Sequence, residues 1–422
     1  MQISNPYTEE TTLSLTVDDT RLAGICEPGT SDQRPTALDA VTADGTLETF
    51  LLGAQNLLII INDATRPTPT AHMLDALLPV IERSGLADEA ITLLVATGAH
   101  RAVKETELPQ LLGDYAQRFA GRLVSHDARD DSTLVSVGTT RNGTPIILNR
   151  LLFAADRIIV TGSVEPHYFA GFTGGRKAFL PGIAGYQTIV DNHKLALSEQ
   201  ATSLALDGNP VHEDMMDALS HIDAPVFAVM TVLDTHQQIV SAAAGDIVSS
   251  FEKAVTIARK IYSVPIVAQA DVVVSVAKFP MDINLYQSQK AIDNAALAVA
   301  DGGTLILVSS CREGIGDDAF AKLLGTCATP EEALKRISGT YRLGYHKAAK
   351  MALVAQRITV MAHTQLEDDV VRSLFMHPVH DLQESVQAAL LQAEHRGVQN
   401  PQVLILPDGC VTVPHTYEED CP

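Results

Sequence analysis

Short apolar runs that stop abruptly at glycine or polar residues constrain this 422-residue chain more than any other feature. Leu57 to Ile61 reads Leu-Leu-Ile-Ile-Ile and ends at Asn62-Asp63. Ile91 to Ala96 ends at Thr97-Gly98, and Arg157 to Thr161 ends at Gly162-Ser163. Runs this short and continuous, alternating with segments of helical period, read as buried strands of a parallel sheet. The first intervening helix is expected from Ala71 to about Ser84, stopped by Gly85. The pattern restarts with Asp271 to Ala277, a helical stretch over 286–300 closed by Gly302-Gly303, and runs at 304–309, 357–362 and 402–406. Two successive strand–helix series predict an α/β protein of two domains with mostly parallel sheets. A mostly helical segment, Gly245 to Ala268, lies between them. The boundary is therefore placed near 265, giving an N-terminal domain of residues 1–264 and a C-terminal domain of residues 265–422. The tail beyond Pro407 is rich in Pro, Asp and Glu and is expected on the surface.

Charge narrows the partners. A formal net charge of −21 repels nucleic acid and anionic membrane, so neither is expected to bind. A small anion would need a local cationic pocket, which directs attention to any Arg or Lys inside a Gly-rich or His-rich segment. No apolar run reaches the ~18–20 residues needed to span a bilayer. The polar, acidic start lacks a basic n-region and an apolar h-region, so the cytoplasm is the expected compartment. Cys26, Cys311, Cys327, Cys410 and Cys421 form no C-x-x-C pair and are expected as reduced thiols. Without a thiolate cage, any metal falls to histidine, carboxylate or a group the chain does not encode.

Five segments carry chemistry, and four of them directly follow strand candidates, where open α/β sheets bind ligands. Asp63-Ala-Thr-Arg66-Pro-Thr-Pro69-Thr70 precedes a helix, with Thr70 an N-cap candidate and Arg66 able to grip a carboxylate or phosphate. Thr97-Gly98-Ala99-His100-Arg101 places a histidine just beyond a strand, suited to acid/base work. Gly162-Ser-Val-Glu165-Pro-His167-Tyr-Phe-Ala-Gly171-Phe-Thr-Gly174-Gly175-Arg176-Lys177 combines close-approach glycines with two cations. Its spacing is not that of a P-loop, so Lys177 reads as a nucleophile or covalent anchor. The bland alternative is a flexible Gly-rich hairpin with exposed cations. Asp191-Asn192-His193-Lys194 offers His193 as a metal ligand, or merely a histidine at a helix end. Finally, Tyr286, Gln287 and Lys290 share one face of a helix starting near Asn284 and could meet a small anion with a phenol, an amide and an ammonium.

Taken together, these motifs resemble the lactate racemase family, the nickel-pincer-nucleotide-dependent racemases and epimerases of 2-hydroxy acids. The resemblance spans nearly the whole chain, in order, and Gly-Phe-Thr-Gly-Gly-Arg-Lys is its most specific part. It implies a fold of two α/β domains with the active site in the cleft between them. It implies nickel and pyridinium-3-thioamide-5-thiocarboxylic acid mononucleotide, a nicotinic-acid-derived nucleotide whose two sulfur arms and ring carbon hold the metal. By that resemblance Lys177 is the covalent tether, Gly174 and Gly175 belong to the cofactor loop, and His193 is the nickel ligand. His100 and His167 are the acid/base pair, Asp63 is a cofactor contact, Arg66 contacts cofactor and substrate carboxylate, and Tyr286, Gln287 and Lys290 line the substrate pocket. Cofactor-biosynthesis proteins are implied as accessory partners. One departure stands out: the family commonly has Thr-Gly-Thr-His-Arg-Pro where this chain has Ala99 and Ala102.

The chemistry explains why such groups are needed. Removing a proton from C2 of a 2-hydroxy acid would build a dianion beside the carboxylate. Removing hydride while a base takes the hydroxyl proton gives a neutral carbonyl, and hydride returned to the other face inverts the centre. A nicotinamide-dependent dehydrogenase is a rival reading, but the G-x-G-x-x-G that it requires after an early strand is not found. A non-catalytic nucleotide- or anion-binding relative is the other. Which hydroxy acid is turned over, and the oligomeric state, stay open at this level.

Overall fold

The computed structural model describes residues 2–4, 12–29, 38, 45–66, 68–234, 236–279, 281–316 and 318–416, so Pro67, Pro280 and Cys421 lie outside the described residues. The chain forms two compact units, Thr30–Ile261 and a second that joins Met1–Gly29 to Tyr262–Pro422. The expected domain of residues 1–264 is thereby corrected at its start. Strand β1 (Leu22–Ile25) hydrogen-bonds in parallel to Val403–Leu406 of the C-terminal unit. A short apolar strand does not reveal which sheet it will join; that depends on a partner nearly four hundred residues away.

The first unit is built on β2 (Leu57–Asn62), β3 (Ile91–Ala96), β4 (Leu123–Ser125), β5 (Arg157–Ser163), β6 (Val226–Leu233) and β7 (Ile239–Asp246). Their order across the sheet is β7-β6-β5-β2-β3-β4. All pairings are parallel except β6–β7. Leu57 to Ile61 are fully covered, as a two-faced parallel strand requires. Helix α1 (Thr70–Arg83) lays Met73, Leu74, Leu77 and Ile81 on this core. Each such side chain contributes ~1.5–3 kcal/mol on burial. Thr70 is the first helical residue and not its cap; Pro69 occupies the cap position without a side-chain hydrogen bond. The chain leaves β2 toward β3 on one side and β5 toward β6 on the other. The topological switch point is therefore the gap between β2 and β5, and the Asp63 and Gly162 segments emerge beside it.

Helix α3 (Ile247–Tyr262) closes the first unit, and the second is built on a six-stranded parallel sheet. Its strands are β8 (Ala270–Val276), β9 (Val299–Val308), β10 (Thr359–His363), β11 (His377–Pro378) and β12 (Val403–Leu406), in the order β11-β10-β9-β8-β12-β1. Helix α4 (Leu285–Ala296) follows β8, again at a switch point. Residues 245–268 are mostly helix, as expected, and end in the strand Ser263–Ile266, paired with Val413–Thr416. Two expectations are corrected here. Residues 408–416 of the tail do not all lie on the surface: Cys410, Thr412 and Val413 are buried, and the Gly409 N–H bonds the Val276 carbonyl. Nor do Gly302 and Gly303 simply close a helix; α4 ends at Ala296 and the glycines run inside β9. A Cβ at Gly303 would lie 2.8 Å from the Asp271 carbonyl oxygen, so the strand pairing itself requires glycine.

Candidate active site

In the first unit, three motifs are tied to one another by hydrogen bonds. Asp63, just past β2, accepts at 2.8 Å from His100 Nδ1, just past β3. The Thr65 amide and hydroxyl also donate to Asp63 Oδ1. Thr68 and Ser163 hydroxyls lie 3.0 Å apart, joining the Asp63 segment to the end of β5. The Gly98 N–H bonds the Gly182 carbonyl, and the Gly182 N–H bonds the Lys177 carbonyl, which joins the His100 segment to the Lys177 loop. Burial would raise the Asp63 carboxyl. The hydrogen bond and charge of His100, the Thr65 hydroxyl and the Arg66 guanidinium outweigh it and hold Asp63 below the ordinary carboxylate value. Asp63 is therefore an anion at neutral pH.

The loop from Gly162 to Gly182 is rigid by construction. Pro166–His167 pairs antiparallel with Gly171–Phe172. Gly171, Gly174 and Gly175 have φ of +73°, +79° and +53°, a region closed to most side chains. A Cβ on Gly174 would come within 2.7 Å of Val164, and one on Gly175 within 2.9 Å of the Phe251 ring. Arg176 is not an exposed cation. It is 1% exposed, donates to the carbonyls of Ala170 (2.6 Å) and Phe172 (2.8 Å), and stacks 4.5 Å from the centre of the Phe251 ring. Burial pulls its guanidinium down to about 9, still protonated at neutral pH. The flexible-hairpin alternative is excluded by these contacts.

Phe169 is the hub. The His167 ring meets it edge-on at 4.5 Å, the His193 ring at 5.1 Å, and Lys177 Nζ lies 5.5 Å from its centre. His193 sits on helix α2 (Tyr186–Lys194), which is anchored by buried Asn192 donating to Asp214 at 2.9 Å. Burial, with the charges of Lys177 and His100 nearby, pushes the His193 imidazole down to about 3. It is neutral at physiological pH, the state in which imidazole binds metals. His167 is buried, whereas the His100 side chain is half exposed. Arg66 is half-buried beside Asp63.

In the second unit, α4 begins with Asn284 as a true N-cap, its side chain accepting from the Gln287 N–H at 3.0 Å. Tyr286, Gln287 and Lys290 form its half-buried face, while Leu285, Ser288, Gln289, Ala291 and Ile292 are buried. Lys290 Nζ lies 3.6 Å from Met281 Sδ. Buried Lys347, on α5 (Tyr345–Arg357), donates to the Tyr286 carbonyl at 2.7 Å and lies 4.2 Å from the centre of the Tyr286 ring.

Two family descriptions match this chain in the same order: the lactate racemase N-terminal domain over residues 8–204 and the lactate racemase C-terminal domain over residues 264–413. The lactate racemase of Lactiplantibacillus plantarum is 32% identical over 420 residues, covering 96% of this chain and 98% of the relative. That of Thermoanaerobacterium thermosaccharolyticum is 30% identical and covers 88% of both. This chain belongs to the lactate racemase family. It is an isomerase of the racemase type. The solved lactate racemase apoprotein from T. thermosaccharolyticum superposes with a TM-score of 0.88 at 28% identity, covering 98% of this chain and 100% of that one. A Thermotoga maritima protein shares the fold, with a TM-score of 0.69 at 18% identity and coverage of 92% and 100%.

The family motifs name the side chains but not their supports. Phe169 lies two residues ahead of the Gly171–Lys177 motif, and its sequence context gives no sign that three candidate groups converge on it. Arg176 looks like a second free cation beside Lys177 until its carbonyl partners are seen. Lys347 sits in no motif, and its position under Tyr286 follows from helix packing alone. Among the described residues no group of His, Cys, Asp and Glu forms a metal cage, and no helix is long and apolar enough to cross a membrane. Cys26, Cys311, Cys327 and Cys410 are free and buried.

Proposed function

We propose that this chain racemises lactate, or a closely similar small 2-hydroxy acid, by reversible hydride transfer through a 2-keto acid, using a nickel-bearing pincer nucleotide tethered to Lys177. The observation that carries this reading is the convergence of Lys177, His193 and His167 on Phe169, with His100 bound to the adjacent Asp63.

The residues fit such a group. A single neutral histidine, with no thiolate or carboxylate cage among the described residues, cannot hold nickel tightly by itself. It suits a metal whose other donors arrive with the cofactor. Lys177 supplies an amine at a fixed place on a loop that Arg176 and three glycines hold rigid. Gly174 and Gly175 let that loop pack against Val164 and Phe251 closely enough to fix Lys177 in place. When bound, that cofactor would supply an electrophilic hydride acceptor.

This chain's own groups do the rest. The Arg66 guanidinium is suited to the substrate carboxylate, with two parallel donors in one plane. His100 Nε2 can take the hydroxyl proton, since Nδ1 is committed to Asp63, and the Asp63 carboxylate stabilises the imidazolium that results. His167, buried against Phe169, faces the same chemistry from a drier environment. Tyr286, Gln287 and Lys290 offer further anion-binding groups on the second unit.

The test is racemisation of D- and L-lactate, followed by chiral chromatography on cofactor-loaded protein. Both enantiomers are expected to converge on an equal mixture. Deuterium at C2 should be retained in the product. Solvent deuterium incorporated at C2 would overturn hydride transfer in favour of proton abstraction.

A further inference from the structure

The two histidines are held by neighbours of opposite hydrogen-bonding character. The Asp63 carboxylate can only accept, so the 2.8 Å contact requires His100 Nδ1 to carry a proton. The Ala170 backbone N–H can only donate, so its 3.3 Å contact requires a lone pair on His167 Nδ1. We infer that the fold locks the two histidines in opposite neutral tautomers, His100 protonated on Nδ1 and His167 on Nε2. Asp63 and the Ala170 amide are then positioning groups, acting through the rings they fix.

The role of this difference rests on the racemase reading above. The resting chain offers a lone pair at His100 Nε2 and an N–H at His167 Nε2. An enantiomer whose hydroxyl meets His100 can react at once. Its O–H proton goes to His100 Nε2, giving an imidazolium beside Asp63. The C2–H bond would break with its electron pair leaving as hydride to the acceptor that the cofactor would supply, and a 2-keto carboxylate with a neutral carbonyl at C2 would be left. An enantiomer whose hydroxyl meets His167 first receives a hydrogen bond, not a base. For His167 to take that proton at Nε2, the proton already there must pass to Nδ1, and the Ala170 N–H bond to Nδ1 must give way to make room for it. The backbone supplies this constraint, since His167 and Ala170 are held in one tight hairpin by the Pro166–Phe172 and His167–Gly171 pairing.

The decisive measurement is a long-range proton–nitrogen correlation spectrum of the full chain labelled with nitrogen-15 histidine, at neutral pH. H100Q and H167Q assign the two rings. The expected pattern is a protonated Nδ1 and bare Nε2 for His100, and the reverse for His167. Both rings protonated on Nδ1, or His167 protonated on both nitrogens, overturns the inference. A second variant, Asp63→Asn, replaces an obligate acceptor by an amide that can donate to Nδ1. It is expected to move the His100 proton to Nε2 and to lower kcat at least about a hundredfold with little change in KM, by analogy with the loss when a histidine's orienting carboxylate becomes an amide. Asp63→Glu should restore the His100 pattern in part. An unchanged nitrogen pattern in D63N would remove Asp63 from this role. The spectra need no turnover. An inactive, cofactor-loaded protein with the expected pattern would therefore sink the racemase reading alone, and an active protein with matching tautomers would sink this inference alone.

Discussion

Both units present site residues at the carboxyl edge of a parallel sheet beside a switch point, yet they do so with opposite means. The first unit uses a loop. Glycines at positive φ, a buried arginine and an aromatic hub hold Lys177, His167 and His193 with little freedom. The second unit uses the first turns of a capped helix, where Tyr286, Gln287 and Lys290 follow from helical spacing alone. Loops can aim several side chains at one point but must be clamped to do it accurately. A helix is rigid already but displays its groups along a line. On the proposed reading, the bond-making groups and the Arg66 carboxylate clamp reside on the first unit, and the second adds only anion-binding groups.

The largest expected effect tests that division directly. Lys177→Ala should bring racemisation to background and abolish the cofactor mass increment of the intact protein, whereas Lys290→Ala should keep the increment. A retained adduct in K177A would show that the tether lies elsewhere. Next, His100→Ala should lower kcat by ~10²–10⁴-fold, the usual range for a lost acid/base group. Lys290→Ala should chiefly raise KM, by ~10–100-fold for a lost charged hydrogen bond. Equal losses of kcat in both variants, with KM unchanged, would erase the contrast.

A structural perturbation should be felt unequally as well. At Gly171 a Cβ would meet the Ala205 carbonyl oxygen at 2.1 Å in a backbone with φ +73°. Gly171→Ala should therefore cost about 3 kcal/mol of stability, read from denaturant melts, and displace the loop. Gly302 also has a positive φ of 73°, but its nearest neighbour to a Cβ lies 4.0 Å away, so Gly302→Ala should cost only the milder backbone strain.

The smallest effect is in pH. In the first unit, burial and the Arg176 charge push His212 down to about 3, and burial, Lys177 and His100 do the same to His193. The unfolded chain binds more protons than the folded one between those values and an ordinary imidazole pKa, so stability falls as pH drops through that window. In the second unit, burial raises the Asp293 carboxyl to about 6 against the pull of Lys347 and Lys350. There the folded state binds more protons between about 4 and 6, so acidification favours it. Hydrogen exchange corrected for intrinsic rates should show peptides of 186–219 losing protection between neutral pH and pH ~5 while those of 285–296 do not. Loss in both alike would break the comparison.

The amino-acid sequence by itself determined most of the strands, the parallel character of both sheets and the placement of the chemical motifs just past strand ends. These are local matters of apolar run length, glycine placement and helical period, which is also why the face shared by Tyr286, Gln287 and Lys290 was legible. It did not determine that Leu22–Ile25 joins the C-terminal sheet, that Cys410, Thr412 and Val413 past Pro407 are buried, or that Gly303 belongs inside a strand. Those outcomes rest on pairing between distant segments, which no local pattern encodes. Within the candidate site the same line divides residue identity from residue state. His100, His167 and Lys177 could be named from their motifs. The partners that set the proton on each imidazole, the carbonyl clamp on Arg176 and the gathering around Phe169 were decided only by tertiary structure, because protonation and burial depend on what the fold brings within a few ångströms.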